Sequence, residues 1–261
     1  MASAHEKKEA AHHRSQLKGF IPLFENETTP IKAFPVEKAE ELKSSGEWGQ
    51  VKIVHFVRHG NGYHNQRVIE LGYGCQCHSE KPVAACPYTG EGLVDARLTD
   101  IGQNEAKQLY DEIEKKGEFP VDLILTSPLS RAIETCLIGM GHAQYNTVPR
   151  ICLEELREQS GVHFCDKRHS KSWLVKTFPS VDFSRISEED ELFEEDKFET
   201  REHLGHRIRS FLDFIGQHEA DRVAVFAHSS LLFTMSGQWF KTAEMKSFAL
   251  AYPKHTLRVG E

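Results

Sequence analysis

The fold of this chain is decided by Val51-Lys-Ile-Val-His-Phe-Val-Arg58-His59-Gly60-Asn-Gly-Tyr-His-Asn65. Its first part, Ile53 to Val57, is largely apolar and β-branched and has the length of a buried strand. The run stops at Arg58-His59-Gly60, where glycine permits a sharp turn and a close approach of the backbone to a ligand. Open α/β sheets bind ligands at the carboxyl ends of their strands, so Arg58 and His59 are predicted to lie at such a crevice.

A histidine and a glycine after a strand more often form a turn than a catalytic site. Two other predicted strands, however, end in matching chemistry. The strand 121–127 leads into Pro128 and Arg131, and the strand 222–227 leads into His228. A helix is predicted after each of them. Because these strand ends can meet in a doubly wound sheet, we expect one shared crevice.

Arg131 belongs to the start of the second of these helices. Pro128 suits a first helical turn, so Ser127 is the predicted N-cap. The free N–H groups and the dipole at a helix start favour anions. Taken alone, Arg131 is more simply explained as a solvated charge. Beside the two other strand ends, it predicts an anion site.

Composition limits the partners of the chain. It has 261 residues, enough for one large domain or two small ones, with 39% hydrophobic residues and a net charge of −7. A nucleic-acid binder needs a broad basic surface, so nucleic acid is not expected as a partner. No apolar run approaches membrane-spanning length, and a signal peptide is not apparent. We expect a cytoplasmic protein with reduced thiols and no membrane partner; the oligomeric state is not predicted.

The chain is expected to form a single domain over residues 1–261. Residues 1–50 form an N-terminal arm packed on that domain. Two excursions, at 72–95 and 163–200, are predicted to lie near the site. The second contains an acidic stretch, Glu188 to Glu199, that is more typical of a solvated face than of a binding motif.

The first excursion holds three cysteines, Cys75, Cys77 and Cys86, with His78 beside them. Three thiols and an imidazole within a dozen residues are possible zinc ligands. Their spacing is not a standard zinc pattern. We therefore expect loop cysteines near the site entrance, and no metal or other cofactor.

The side chains pooled at the three strand ends favour phosphoryl chemistry. They are two arginines, two histidines, an asparagine and a carboxylate, without a Walker loop or a G-x-S-x-G phrase. Guanidinium forks match phosphate oxygens, and a neutral imidazole can attack phosphorus as a nucleophile.

As a set, these motifs resemble the histidine phosphatase superfamily, also called phosphoglycerate mutase-like. The first signature of that family, Arg-His-Gly with an asparagine five places later, matches residues 58–65. The phrase Ser-Pro-Leu-x-Arg-Ala-x-x-Thr matches 127–135, a strand ending in His-Ser matches 228–229, and Asp-x-x-Leu-Thr-x-x-Gly matches 95–102. The resemblance covers about 51–235 and implies a three-layer α/β/α sandwich with a mostly parallel central sheet.

The resemblance also implies a role for each matched residue. His59 corresponds to the nucleophile that becomes phosphohistidine. Arg58, Arg131 and Asn65 correspond to the phosphate pocket. His228 corresponds to the second histidine, which donates a hydrogen bond to the phosphoryl group. The family needs no metal.

The acid–base carboxylate of the family usually stands in a Leu-x-Glu phrase after a short strand. Leu156-Arg157-Glu158 matches that phrase, which makes Glu158 the predicted acid. Glu154 and Glu155 are the alternatives.

Two departures from the family pattern argue against a glycolytic mutase. Asn61-Gly62 replaces the residues that many relatives place after the glycine, and the phrase 157–163 differs from that of the true mutases. It is similar to plant and fungal phosphatase-like relatives, as is 165–168. Lys167 and Arg168 are candidate contacts for a second anionic group, although a solvated basic turn is equally consistent with them.

We therefore expect a metal-independent phosphomonoester hydrolase that acts on a phosphorylated small molecule. Three alternatives stay open at this point. The first is a mutase that moves phosphate within a sugar acid. The second is a catalytically silent module that binds a phosphorylated ligand or a protein. The third is a metal-dependent hydrolase built on the histidines.

Overall fold

The fold is taken from a computed structural model, which describes residues 22–25, 30–71, 88 and 90–254. Cys75, Cys77 and Cys86 lie outside the described residues, so their predicted place near the site entrance stays a prediction. Among the helices that are described, none has the length and apolar character needed to cross a membrane.

A six-stranded sheet forms the centre of the structure. Its strands, in chain order, are β1 Lys32–Pro35, β2 Gln50–Arg58, β3 Leu123–Thr126, β4 Arg150–Cys152, β5 Arg222–Ala227 and β6 Met245–Tyr252. Their order across the sheet is β1-β6-β2-β5-β3-β4. β2, β5, β3 and β4 are mutually parallel, whereas β6 runs antiparallel to β1 and β2. The predicted mostly parallel sheet is thus confirmed.

Helices cover both faces of this sheet. They are α1 Ala39–Ser44, α2 Tyr63–Leu71, α3 Asp100–Lys116, α4 Ser130–Gly139, α5 Lys171–Thr177, α6 Arg201–Gln217 and α7 Ser229–Ser236. α6 and α7 pack on Val54 and Phe56, which point to one face because side chains alternate along a strand. α3 and α4 pack on Val57 and Phe226 from the other face. The result is the three-layer α/β/α sandwich that the sequence predicted.

The N-terminal arm takes part in the sheet itself. Within the range 1–50, β1 forms the edge strand and pairs with β6, with Lys32 opposite Ala251. The aromatic rings of Phe34 and Trp48 lie 5.8 Å apart and help to fasten this edge. The sequence predicted packing of the arm but not a strand, because four residues that end in proline give little strand signal. Proline is tolerated there because an edge strand has one unpaired side.

The excursion at 163–200 is a packed segment that contains α5. Its apolar side chains form a cluster with Ile133 of α4 and Cys152 of β4; they are Leu174, Phe178, Val181, Phe183 and Ile186. The expectation of a solvated acidic face is wrong for two of its residues. Asp190 accepts hydrogen bonds from Arg157 at 2.5 and 2.9 Å, and Glu199 accepts two from Arg207 at 2.6 Å. Both carboxylates are buried, because each neutralises a buried arginine.

The loop after β2 packs directly against the first turn of α3. Thr99 caps this helix, since its Oγ1 accepts from the Gly102 N–H at 3.1 Å, and it also donates to Asn61 Oδ1 at 2.8 Å. A Cβ at Gly102 would lie 2.1 Å from the Asn61 carbonyl oxygen. A Cβ at Gly60 would lie 2.7 Å from the Gly102 carbonyl oxygen. Both positions need glycine because two backbones touch there.

We predict that Gly102→Ala destabilises the protein by about 1–3 kcal/mol, the usual cost of forcing an extra methyl group into a packed contact. Gly205→Ala is the matched control, because the one contact of a Cβ there with the described residues is Arg209 Nη1, at 3.7 Å. That alanine, inside α6, should stabilise the protein by about 0.5–1 kcal/mol. Urea unfolding measures both changes. Equal stability of the two variants would contradict the backbone contact.

Candidate active site

The ends of three parallel strands meet at one edge of the sheet. The His59 N–H, just after β2, donates to the Ala227 carbonyl at the end of β5, at 3.0 Å. The Ser127 N–H, just after β3, donates to the Phe226 carbonyl at 3.0 Å. The structure therefore brings the three chemical segments together, as the sequence predicted. The rings of His59 and His228 lie 5.0 Å apart.

His59 has a defined tautomer. Its Nδ1 lies 2.6 Å from the Gly60 carbonyl oxygen. A carbonyl only accepts hydrogen bonds, so Nδ1 carries the proton and Nε2 keeps its lone pair. Burial holds the pKa of His59 well below its usual value, and the positive charges of Arg131 and Arg58 lower it further. The ring is therefore a neutral imidazole with an unprotonated Nε2.

Arg131 lies against this lone pair. Its Nε donates to His59 Nε2 at 3.3 Å, its Nη1 donates to the Cys165 carbonyl at 2.6 Å, and its Nη2 donates to Asp166 Oδ1 at 2.8 Å. Only 1% of Arg131 is exposed. The guanidinium is fixed on three sides, which leaves it little freedom to turn away from Nε2 of His59.

The start of α4 corrects one prediction. Ser127 is not the N-cap, because Leu129 takes that position in extended conformation and the helix begins at Ser130. The capping carboxylate instead comes from Asp95, whose oxygens accept from the N–H and the hydroxyl of Ser130, both at 2.7 Å. Arg131 still lies in the first turn, as predicted. The Ser127 Oγ accepts from the Leu129 N–H at 3.3 Å and lies 2.8 Å from His228 Nε2.

Two further residues of the predicted phosphate pocket are oriented by backbone contacts. Arg58 Nη1 donates to the Phe240 carbonyl at 2.9 Å. Asn65 Oδ1 accepts from the Gly62 N–H at 2.9 Å, which fixes which end of its amide carries the oxygen. The Asn65 NH₂ group, which is a donor, therefore points away from Gly62. Both side chains belong to the segment 51–65.

His228 is fully buried at the start of α7. Its Nε2 lies 2.8 Å from Ser127 Oγ, while its Nδ1 has no hydrogen-bond partner among the described residues. Burial holds the pKa of His228 well below its usual value, and Arg131 lowers it further. A buried nitrogen without a partner is uncommon and costs stability, so Nδ1 is the atom best placed to meet a ligand.

Glu158 reaches the same edge of the sheet. Its two carboxylate oxygens accept from the Ser230 N–H at 3.0 and 3.2 Å, in the first turn of α7. Burial raises the pKa of Glu158, and the negative charge of Asp166 raises it further. Hydrogen bonds from the Gln159 and Ser230 N–H groups and the charge of Arg131 oppose that change without reversing it. A glutamate that keeps its proton more readily than usual suits general acid chemistry.

The alternative carboxylate at Glu154 is engaged elsewhere. Its oxygens pair with Arg157 at 3.2 Å and with Arg168 at 2.6 Å. Glu155 is held through its backbone carbonyl, which accepts from Arg207 at 2.9 Å. Of the three glutamates, Glu158 is the one whose carboxylate contacts the first turn of α7, next to His228.

The structure does not place Arg168 in the pocket. Its guanidinium donates to Glu154 and to backbone carbonyls of the excursion at 163–200, and the residue is buried. Those bonds fold the excursion, so the group is not available to a second anion. Lys167 is partly exposed and pairs with Glu195 at 3.1 Å.

Sequence reasoning missed three residues that shape the site. Asp166 binds Arg131, although the sequence singled out its neighbours Lys167 and Arg168. His64 lies with its ring 5.5 Å from that of His59, and a Cβ at Gly62 would lie 2.7 Å from its Nδ1. The sequence Gly62-Tyr-His64 carried a signal for the place of His64, because a glycine at position 62 leaves room for the His64 ring.

Thr135 is the third missed residue, and it joins two of the sequence signatures. Its Oγ1 accepts from the Gly60 N–H at 2.9 Å and donates to the Arg131 carbonyl at 2.7 Å. One hydroxyl thus ties the loop of the predicted nucleophile to the helix that carries the arginine. These two hydrogen bonds are the physical reason for a threonine at the end of the phrase 127–135.

We predict that Thr135→Val lowers stability by about 1–3 kcal/mol, because the buried Gly60 N–H loses its acceptor. Thr135→Ser is the control, since it keeps the hydroxyl. Urea unfolding and enzymatic turnover should show loss in the valine variant and recovery in the serine variant. If the valine variant matches the native protein in stability and turnover, the hydrogen bond from the Gly60 N–H to Thr135 does not position the loop.

Comparisons with known proteins point to one family. A family model described as the histidine phosphatase superfamily (branch 1) matches residues 85–259. The matched range begins after the Arg58-His59-Gly60 segment. The phosphoglycerate mutase-like protein 1 of Arabidopsis thaliana is 31% identical over 209 residues, 70% of each chain. A probable phosphatase of Schizosaccharomyces pombe is 30% identical over 53% of this chain and 55% of that protein.

A solved structure shares the fold. The ecdysone phosphate phosphatase of Bombix mori, determined with tungstate, superposes with a TM-score of 0.53 at 14% identity, over 80% of this chain and 95% of that one. The family match over 85–259 and the 31% identity to the Arabidopsis protein over 70% of each chain lead to one conclusion. The chain belongs to the histidine phosphatase superfamily.

Proposed function

We propose that this protein is a metal-independent phosphomonoester hydrolase that works through a phosphohistidine on His59. One observation carries the proposal. The bond from His59 Nδ1 to the Gly60 carbonyl leaves the Nε2 lone pair facing the Arg131 guanidinium. A nucleophile aimed at a cation is suited to an electrophile that arrives with negative oxygens, as a phosphate monoester does.

The first step transfers the phosphoryl group to the protein. His59 Nε2 attacks phosphorus and forms a P–N bond, while the ester P–O bond breaks. Glu158, protonated, gives its proton to the leaving oxygen. Arg58 and Arg131 stabilise the charge on the phosphoryl oxygens during the transfer. With the Ser127 hydroxyl donating to Nε2 of His228, the proton of that ring is on Nδ1 and can be donated to a phosphoryl oxygen.

The second step releases phosphate. Glu158, now ionised, takes a proton from water, and the water oxygen attacks phosphorus. The P–N bond breaks, and its electron pair returns to Nε2 of His59. Inorganic phosphate leaves, and both side chains regain their starting states. The cycle consumes one water molecule and needs no other reactant.

Among the described residues, the contacts of two basic side chains favour hydrolysis over the mutase alternative. A mutase for a sugar acid needs a cation for the carboxylate of its substrate. Arg168, the best candidate from the sequence, is committed to Glu154, and Lys167 is paired with Glu195. The names of the relatives include both mutase-like proteins and a phosphatase, so they do not decide between the two reactions.

We predict that the native protein releases phosphate from p-nitrophenyl phosphate in the presence of a chelator, and that His59→Ala releases none. His206→Ala is the matched control, because that histidine is exposed on α6. Acid-labile, base-stable labelling of the native protein by substrate would identify the phosphohistidine. Full activity in His59→Ala, or loss of native activity on chelation, would overturn the proposal.

A second prediction concerns the acid. Glu158→Gln should lower kcat by about 10²–10⁴ on an alkyl phosphate, because it removes positioned proton transfer. The loss should be smaller on p-nitrophenyl phosphate, whose leaving group needs less help, and phosphohistidine should accumulate. Glu155→Gln tests the alternative acid and should leave both rates intact. The reverse pattern would move the role to Glu155.

The pH dependence has a definite sign. The working form of Glu158 in the first step is protonated, so kcat/KM should fall as pH rises through its pKa. Because that pKa is raised, the fall should begin at a higher pH than for an ordinary glutamate. The fall should be absent from the pH profile of Glu158→Gln.

A further inference from the structure

Asp166 lies behind the site and is not part of the proposed chemistry. It is 4% exposed and ends the single turn Phe164–Asp166. Its Oδ1 accepts from Arg131 Nη2 at 2.8 Å, and the carbonyl of its neighbour Cys165 accepts from Arg131 Nη1 at 2.6 Å. One turn therefore holds both terminal nitrogens of the arginine whose Nε faces the nucleophile.

The turn itself is held firmly. The Asp166 N–H donates to the His163 carbonyl at 2.9 Å, and the Asp166 carbonyl accepts from Arg157 Nη2. Arg157 is fully buried and forms a two-point pair with Asp190, at 2.5 and 2.9 Å. The Asp166 carboxylate is thus a fixed negative charge on a fixed support.

Several charged and titratable groups of the described residues act on Glu158 or lie against it. Arg131 and Asp166 act on it with opposite signs, and Cys165 carries a thiol whose pKa is raised by burial. From α6, Arg207 Nη2 donates to the Glu158 carbonyl at 3.1 Å. From the α7 side, His228 is neutral. Asp166 supplies the negative charge that raises the pKa of Glu158 beyond the effect of burial.

We propose that Asp166 is a positioning residue, which aims the Arg131 guanidinium at His59 Nε2 and keeps a fixed negative charge within reach of Glu158. The inference rests on the proposed phosphohistidine route. A single carboxylate then serves both halves of the first step. It orients the cation that meets the phosphoryl group, and it favours the protonated form of the acid that meets the leaving oxygen.

Asp166→Asn separates these two effects. Asparagine keeps an oxygen for Arg131 Nη2 but removes the charge. Arg131 then acts on Glu158 without opposition, so Glu158 should lose its proton at lower pH. We expect the alkaline limb of the kcat/KM profile on an alkyl phosphate to move down by about one pH unit, the size typical of losing one neighbouring charge. A purely structural role for Asp166 would lower the rate without moving the limb.

Asp190→Asn is the matched control. It also removes a buried aspartate paired with an arginine, but that arginine is Arg157 and not Arg131. Its limb should stay where the native limb lies, even if its rate falls. A second variant, Asp166→Glu, keeps the charge and lengthens the side chain. It should lower kcat about tenfold or more by displacing Arg131, with its limb unmoved, because misplacement by about 1 Å can cost 10²-fold.

The outcomes distinguish the two proposals. Thermal melting first shows which variants fold. If Asp166→Asn does not fold, Asp166→Glu is the deciding variant. A native kcat in Asp166→Glu would overturn the positioning role. If the native protein is active and the limb of folded Asp166→Asn does not move, this inference fails while the hydrolase stands. If the native protein releases no phosphate, both proposals fail. Loss of the limb in Glu158→Gln confirms which group the limb reports.

Discussion

The hydrogen bond between His59 Nδ1 and the Gly60 carbonyl determines what the site can do. At 2.6 Å it fixes both the tautomer and the angle of the ring. It needs Gly60 to turn at once after β2, and the turn is possible because Gly60 and Gly102 bring two backbones into contact. Thr135 then secures the Gly60 N–H. The two glycines and one hydroxyl thus prepare His59 for its proposed role as the nucleophile.

A second layer of buried ion pairs supports this arrangement. Arg131 pairs with Asp166, Arg157 with Asp190, and Arg207 with Glu199. A buried ion pair is weak evidence for stability, because desolvation opposes the attraction, but removing one partner is costly. Here each pair also carries backbone contacts: Arg157 binds the Asp166 carbonyl, and Arg207 binds that of Glu158. The pairs thus hold the segments that present the chemistry.

What the sequence could predict follows from how local each signal is. β5 was predicted with its observed bounds, because an apolar run between polar ends is a local property. The role of the buried Asp190 was not predicted, because its partner Arg157 lies 33 residues away in the sequence. A run of acidic residues does not indicate which of them pairs with a buried arginine. The prediction of Ser127 as the N-cap was wrong for the same reason: the local rule was sound, but Asp95, 35 residues before Ser130, supplies the carboxylate.

The candidate site residues carry a more local signal than the residues that support them. Arg58 ends β2, His59 and His228 directly follow β2 and β5, and Arg131 lies in the first turn of the helix after β3. The fold brings these strand ends together. Arg168 shows the limit of this reasoning. A basic residue near a phosphate site attracts attention in a sequence, yet only its hydrogen bonds show that it folds a loop, whereas the acidic residue two places earlier reaches the pocket arginine.

One physical cause prepares both halves of the proposed mechanism. With ordinary pKa values of 6.5 for histidine and 4.5 for glutamate, His59 would be protonated and Glu158 ionised at any pH between them. Both groups would then be in the wrong state for transfer to Nε2 and protonation of the leaving oxygen. Burial disfavours the charged form of each, so it lowers the pKa of the histidine and raises that of the glutamate. The arginines extend the first change and Asp166 the second, so the two pKa values move apart in the directions that a base and an acid require.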